Sequence, residues 1–181
     1  FGIKEPFSSL TFYHSNIYLN IIIMLLIITG GIGFLVWGDI RIHKNRIRRF
    51  SLQSKVVLMT SAVLIVLPAL YFFFYEYDRE TIHDRTIHSL FQSVTTRTAG
   101  FNTTDLAAMD ESGTAIMVIL MLIGGSPGST AGGMKTTTFA VLLLSAITVF
   151  SRRNDVQCFK RRISNETVCS ACLLYTSDAA D

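Results

Sequence analysis

Charge is what this sequence has least of. Only 16% of its 181 residues are Asp, Glu, Lys or Arg, against about 25% in an ordinary soluble domain. Net charge is +3, too modest a surplus to point to nucleic acid. Tryptophan occurs once. Cysteine occurs three times, and the Cys169–Cys172 CxxC has neither a second pair nor a nearby His, so no zinc or redox site is read there. His14, His43, His83 and His88 are scattered without ligand spacing, so no metal site and no cofactor are expected. The chain opens at Phe1 with no basic stretch ahead of an apolar one, so no signal peptide is read. It reads as a fragment of a longer protein.

Half of the residues are hydrophobic and the mean hydropathy is +0.43. These values favour an integral membrane protein. Residues 17–37 (IYLNIIIMLLIITGGIGFLVW) are uncharged and about 20 residues long, enough for a helix to cross roughly 30 Å of hydrocarbon. Gly30, Gly31 and Gly33 near its end suit close approach of another helix. Residues 55–75 (KVVLMTSAVLIVLPALYFFFY) form a second run, with Pro68 expected to kink it. The third apolar region, 115–150, is too long for one crossing and is interrupted by GGSPGSTAGGMKTTT at 124–138.

Basic residues fix an expected orientation. Arg41, Lys44, Arg46, Arg48, Arg49 and Lys55 follow the first run; Arg152, Arg153, Lys160, Arg161 and Arg162 follow the third. Both belong in the cytoplasm by the positive-inside rule. The acidic stretch around 76–84 then lies outside. Residues 88–114 also lie outside; their apolar stretch, 89–94 (SLFQSV), is too short to cross, and the segment reads as a short helix and a return loop. Such a loop survives at membrane depth only when buried in protein or lining a wet cavity.

Two stretches carry chemistry. In TTRTAGFNTT (95–104), Gly100 permits backbone angles closed to other residues, as a carbonyl-lined ion filter requires. A helix before it would aim its carbonyl end at a cation. A plain loop turning at a glycine is the alternative. The second stretch approximates the phosphate loop G-x-x-x-x-G-K-[ST], but Met134 stands where Lys is needed and Lys135 comes one place late. The membrane reading makes it a polar break inside a span. Lys135, costly at that depth unless it faces water or a partner, is expected to face the path and repel cations when the loop blocks it. A kinked helix with a snorkelling lysine is the bland alternative.

SVTTRTAGFNT, followed by GGSPGSTAGGMKTTTFAVLLL, closely resembles the Trk/Ktr (HKT-like) potassium uptake transporters. GGIGFLVWGDI and FKRRIS add to the likeness, which covers residues 1 to about 171. The resemblance implies an all-α integral membrane fold of four helix–pore-loop–helix repeats around one path. This chain would hold the end of repeat two (about 1–40, with a helix at 17–38) and all of repeat three (about 55–150). Within repeat three it implies a helix at 55–76, a re-entrant pore helix and filter at 88–104, and a broken second helix at 114–150. Residues 41–54 and 151–167 would be cytoplasmic loops, and 168–181 the start of another span with a non-native tail.

By the same match Thr98, Ala99, Gly100 and Phe101 line the filter, and Gly124, Gly125, Gly128, Gly132, Gly133 and Lys135 belong to an intramembrane gating loop. Arg97 is expected to point off-axis and brace the filter, on a carboxylate such as Asp105. The resemblance further implies potassium uptake without enzymatic chemistry, with the coupling ion, sodium or proton, left open. It implies a homodimer, a cytoplasmic nucleotide-binding regulatory subunit, lipid contacts, and a multi-pass place in the bacterial cytoplasmic membrane. Two rivals stay open: a secondary transporter with broken helices, and a P-loop nucleotide-binding protein.

Overall fold

The computed structural model describes residues 9–14, 16–44, 47–78, 81–97, 99–104, 106, 109–151, 157–158 and 161–162. Six α-helices carry the fold: α1 (Ile17–Ile32), α2 (Phe34–His43), α3 (Leu52–Tyr71), α4 (Ile82–Thr95), α5 (Glu111–Leu122) and α6 (Thr136–Phe150). Two two-residue strands, Gln157–Cys158 and Arg161–Arg162, pair antiparallel within the basic stretch near the end. That small hairpin is the one addition to an otherwise helical expectation among the described residues.

Local chemistry sets the helix starts. Asn16 accepts a hydrogen bond from the Leu19 N–H at 3.2 Å, and Ser51 from the Ser54 N–H at 3.2 Å. Both are side-chain caps on first-turn donors that lack a helical partner. Thr81 caps α4 through the Asp84 N–H at 3.4 Å and also donates to the Asp84 carboxylate at 2.7 Å. That cap starts α4 well before the apolar residues that suggested a helix near 88. Glu76 serves α5 from outside: its carboxylate accepts from the Asp110 N–H at 3.0 Å. It lies against Gly113, where a Cβ would strike it.

Helix α3 passes through Pro68 and continues as a π turn over Phe72–Glu76. Together they form a 25-residue helix, Leu52–Glu76, with a mean hydropathy of 2.4 over its most apolar stretch. By length and composition it is the one unbroken helix among the described residues able to cross a membrane. Pro68 cannot supply the N–H that the Leu64 carbonyl would accept. Beside that gap, Ser93 Oγ of α4 donates to the Ile65 carbonyl at 2.6 Å.

The run expected as a single helix over 17–38 is two helices instead. α1 and α2 meet at Gly33 with a bend of 92°. Gly33 has φ +83 and ψ 153, a region essentially reserved for glycine. The GGIG cluster is therefore a break as well as a smooth surface.

Helix α4 packs against α1 and α3, and α3 packs also against α2 and α6. Leu64, Phe72, Tyr77, Met117, Leu120 and Ile123 form the apolar core. Many other large apolar side chains are exposed: Leu26 is 66% exposed, Leu67 62% and Phe150 89%. An assembly that faces lipid or further helices presents such a surface. In lipid the apolar effect between helices fades, and packing and interhelical hydrogen bonds hold the bundle.

Candidate functional site

The site begins with an anomaly in α4. His88, Ser89, Gln92, Ser93 and Thr95 are buried beside Phe91 and Val94. A polar helix inside an apolar assembly needs partners for its side chains. Ser93 finds the Ile65 carbonyl, Gln92 Nε2 finds Met117 Sδ at 3.1 Å, and the Thr96 hydroxyl donates to the Gln92 and Ser93 carbonyls at 3.2 and 3.0 Å. Helix α4 is thus tied to α3 and α5 by polar contacts.

A tight turn follows the carbonyl end of α4. The N–H groups of Ala99 and Gly100 both donate to the Thr95 carbonyl, at 3.1 and 3.2 Å. The Thr95 hydroxyl donates to the Phe101 carbonyl at 2.7 Å. Gly100 has φ +74, and nothing lies within 4 Å of where a Cβ would stand. Conformation rather than crowding therefore demands glycine there, and that side of the turn is open. Beyond it, Asn102 N–H donates to Ser9 Oγ at 3.0 Å and Leu10 N–H to the Asn102 carbonyl at 2.9 Å. Thr98 lies outside the described residues.

Helices α5 and α6 are separated by a non-helical loop, 123–135. Its two ends are clipped together: Gly124 N–H donates to the Met134 carbonyl at 2.9 Å and Met134 N–H to the Leu122 carbonyl at 3.1 Å. A Cβ on Gly124 would collide with the Gly132 carbonyl oxygen. Thr136 N–H donates to the Gly125 carbonyl at 3.0 Å. Lys135 Nζ donates to the Ala131 carbonyl at 3.0 Å, so its ammonium braces the loop it belongs to.

The loop docks into the α1–α2 break. Ser126, fully buried, donates from its N–H to the Gly31 carbonyl at 3.0 Å and from its hydroxyl to the Ile32 carbonyl. Phe34 N–H, at the start of α2, donates to the Gly128 carbonyl at 3.2 Å. A Cβ at Gly33 would stand 2.5 Å from Ser126 Oγ, and one at Gly128 would stand 2.5 Å from the Phe34 ring. Each interruption thus supplies the backbone partners the other lacks. Nothing in the spacing of GGIG announces this pairing, because its partner stretch lies about ninety residues away.

The two sequence motifs meet at one cavity of about 250 Å³. Arg97 and Ala99 line it from the turn after α4, Thr130 and Ala131 from the loop, and Gly30 and Gly31 from α1. Arg97 reaches Ser61 Oγ of α3 at 3.2 Å; Asp105, its expected partner, lies outside the described residues. His14 and His88 also come together, their rings 6.1 Å apart, with Tyr77 packed on His88. No spacing in the sequence links that pair. Among the described residues no group of three or more His, Cys, Asp or Glu forms a metal cluster. Cys169, Cys172 and the 168–181 tail lie outside the described residues.

A phosphate-binding role fits poorly. Such a loop follows a strand, and α5 is a helix; the N–H groups of Gly124, Ser126 and Thr136 already serve protein carbonyls.

Comparison with known proteins now gives the family. The sequence model of the TrkH family, described as a cation transport protein, matches residues 2–175. The potassium/sodium uptake protein NtpJ of Enterococcus hirae is 37% identical over 166 residues, which cover 89% of this chain and 37% of that protein. The Ktr system potassium uptake protein B of Bacillus subtilis is 37% identical over 84% of this chain and 36% of its own length. The chain therefore spans little more than a third of these relatives. The crystal structure of the potassium transporter TrkH from Vibrio parahaemolyticus superposes with a TM-score of 0.72 at 19% identity, over 89% of this chain and 36% of that one. The family is one of membrane cation transporters, not of enzymes, and this chain belongs to it.

Proposed function

We propose that this chain is one filter-and-gate repeat, with the end of the repeat before it, of a multi-pass potassium uptake transporter in the bacterial cytoplasmic membrane. Ions entering from outside shed water against the stretch Thr98, Ala99, Gly100 and Phe101. They pass into the cavity beneath and leave when the loop holding Gly124, Gly125, Gly128, Gly132, Gly133 and Lys135 moves aside. The observation that carries this reading is the shared cavity, lined on one side by Ala99 and on another by Thr130 and Ala131. The carbonyl end of a buried polar helix at the turn adds favourable charge for a cation. Potassium and sodium, named for the relatives, are carried over as the permeating ions. Assembly as a homodimer, control by a cytoplasmic nucleotide-binding subunit and contact of the basic loops with such a partner or with anionic headgroups belong to the same proposal.

The test uses the full-length protein. Gly100→Ser forces a side chain onto φ +74; strain of roughly 1–3 kcal/mol implies about a fivefold or greater fall in the rubidium-to-sodium uptake ratio. An unchanged ratio would remove the turn from the ion path.

The docking of two broken helices also favours a coupled secondary transporter, in which such breaks flank the binding site. Rubidium uptake that runs without a sodium or proton gradient would exclude that version.

A further inference from the structure

Arg97 is the buried cation closest to the glycine turn in sequence, and its hydrogen-bond partner among the described residues is a neutral hydroxyl. It is 8% exposed. A terminal nitrogen donates to Ser61 Oγ at 3.2 Å, and Nε has no partner among the described residues. No carboxylate among the described residues pairs with it. The same side chain lines the cavity shared by Ala99, Thr130 and Ala131.

A brace needs only a hydrogen bond, which a neutral side chain could give. A guanidinium is always charged, and burying one is costly. The charge is felt in the cavity more strongly than in bulk water, because the effective dielectric is lower. Repulsion of an ion at a fixed point scales with the ion's valence. One fixed positive charge therefore burdens a divalent cation twice as heavily as a monovalent one.

We propose that Arg97 is a specificity-determining residue that keeps divalent cations out of the cavity between the glycine turn and the 123–135 loop while monovalent cations pass. The proposal rests on the transport reading above. Ser61 positions the charge; Arg97 supplies it.

The experiment measures rubidium uptake by the full-length protein in proteoliposomes, with magnesium and caesium as competing cations. In Arg97→Gln the apparent affinity for caesium rises about tenfold and that for magnesium about a hundredfold, the logarithmic shift doubling with valence. Arg97→Lys keeps the charge and stays near wild type. Ser61→Asp sets a carboxylate against Arg97 and cancels it in place, so it reproduces the magnesium shift even where Arg97→Gln does not assemble. Ser61→Asn, a neutral change at the same position, gives no valence-dependent shift. Equal shifts for caesium and magnesium, or a Ser61→Asp variant with wild-type magnesium sensitivity, would reduce Arg97 to a brace. Wild-type protein that takes up no rubidium would overturn the transport reading and this proposal with it; uptake with valence-independent shifts would overturn this proposal alone.

Discussion

Single residues decide two of the joints in this molecule. Gly33 sits at φ +83 with Ser126 Oγ 2.5 Å and the Pro127 carbonyl oxygen 2.7 Å from any added Cβ. Gly33→Ala meets both obstacles. Backbone strain alone costs roughly 1–3 kcal/mol, and the loop must also back away. The expected outcome is a lower unfolding temperature in detergent; an unchanged midpoint would mean that the break tolerates a side chain. Asp39 governs a second joint, beyond the apolar run that ends at Trp37. Its carboxylate accepts from the Ser51 and Ser54 hydroxyls, each at 2.6 Å, and from the Ser51 N–H at 3.0 Å. The Ser51 hydroxyl, then the Ser54 hydroxyl, lower its pKa from 3.8 to about 2. A carboxylate lowered by folding stabilises the fold above its unfolded pKa, and that contribution fades as pH falls through the folded value. Acid titration should therefore strip this joint between about pH 4 and about pH 2. Asp39→Asn should lack that acid-dependent component, which thermal melts across that range would reveal.

At the scale of elements, the 123–135 loop is a self-braced unit. Its ends are clipped by Gly124 and Met134, and Lys135 holds the Ala131 carbonyl from within. A hydrogen bond from a charged group contributes about 1.5–3 kcal/mol. If the loop obstructs the path, Lys135→Ala removes both a repelling charge and a brace, and basal rubidium uptake by the full-length protein rises by about tenfold or more. Flux that stays level or falls would show that Lys135 is no barrier. This loop was legible in the sequence as a break because Pro127 and five glycines interrupt an apolar region too long for one crossing. The break in the first run was less legible. GGIG has the composition of a close-packing surface, and only the distant Ser126 and Gly128 turn it into a joint. Helix α4 was underestimated because its first turns are polar; Thr81 and Asp84 gave the cap, but its burial is a tertiary fact that local hydropathy does not carry.

At the scale of the whole molecule, the described residues hold one unbroken helix long and apolar enough to cross a membrane and leave many large apolar side chains exposed. The chain spans 37% and 36% of two transporter relatives. If the chain is one repeat of four, as proposed, it encloses no path by itself, so proteoliposomes holding only residues 1–181 should show no rubidium flux above empty vesicles. Specific flux from this segment alone would overturn the four-repeat reading. The family was legible because SVTTRTAGFNT and GGSPGSTAGGMKTTTFAVLLL are long, specific stretches rather than a lone glycine pattern. The meeting of those motifs at one cavity was not, because Arg97 and Thr130 are brought together by packing across α1.

The mutual docking of the two interruptions has a consequence for biogenesis. When α1 and α2 leave the ribosome, the Gly31 and Ile32 carbonyls and the Phe34 N–H have no companions, and bare peptide groups are poorly tolerated in hydrocarbon. Their companions, Ser126 and Gly128, are synthesised about ninety residues later, so at the usual pace of roughly 5–20 residues per second the early bent pair of helices waits for about 5–20 seconds. During that interval, water at the interface or the insertion machinery has to stand in for a loop not yet made.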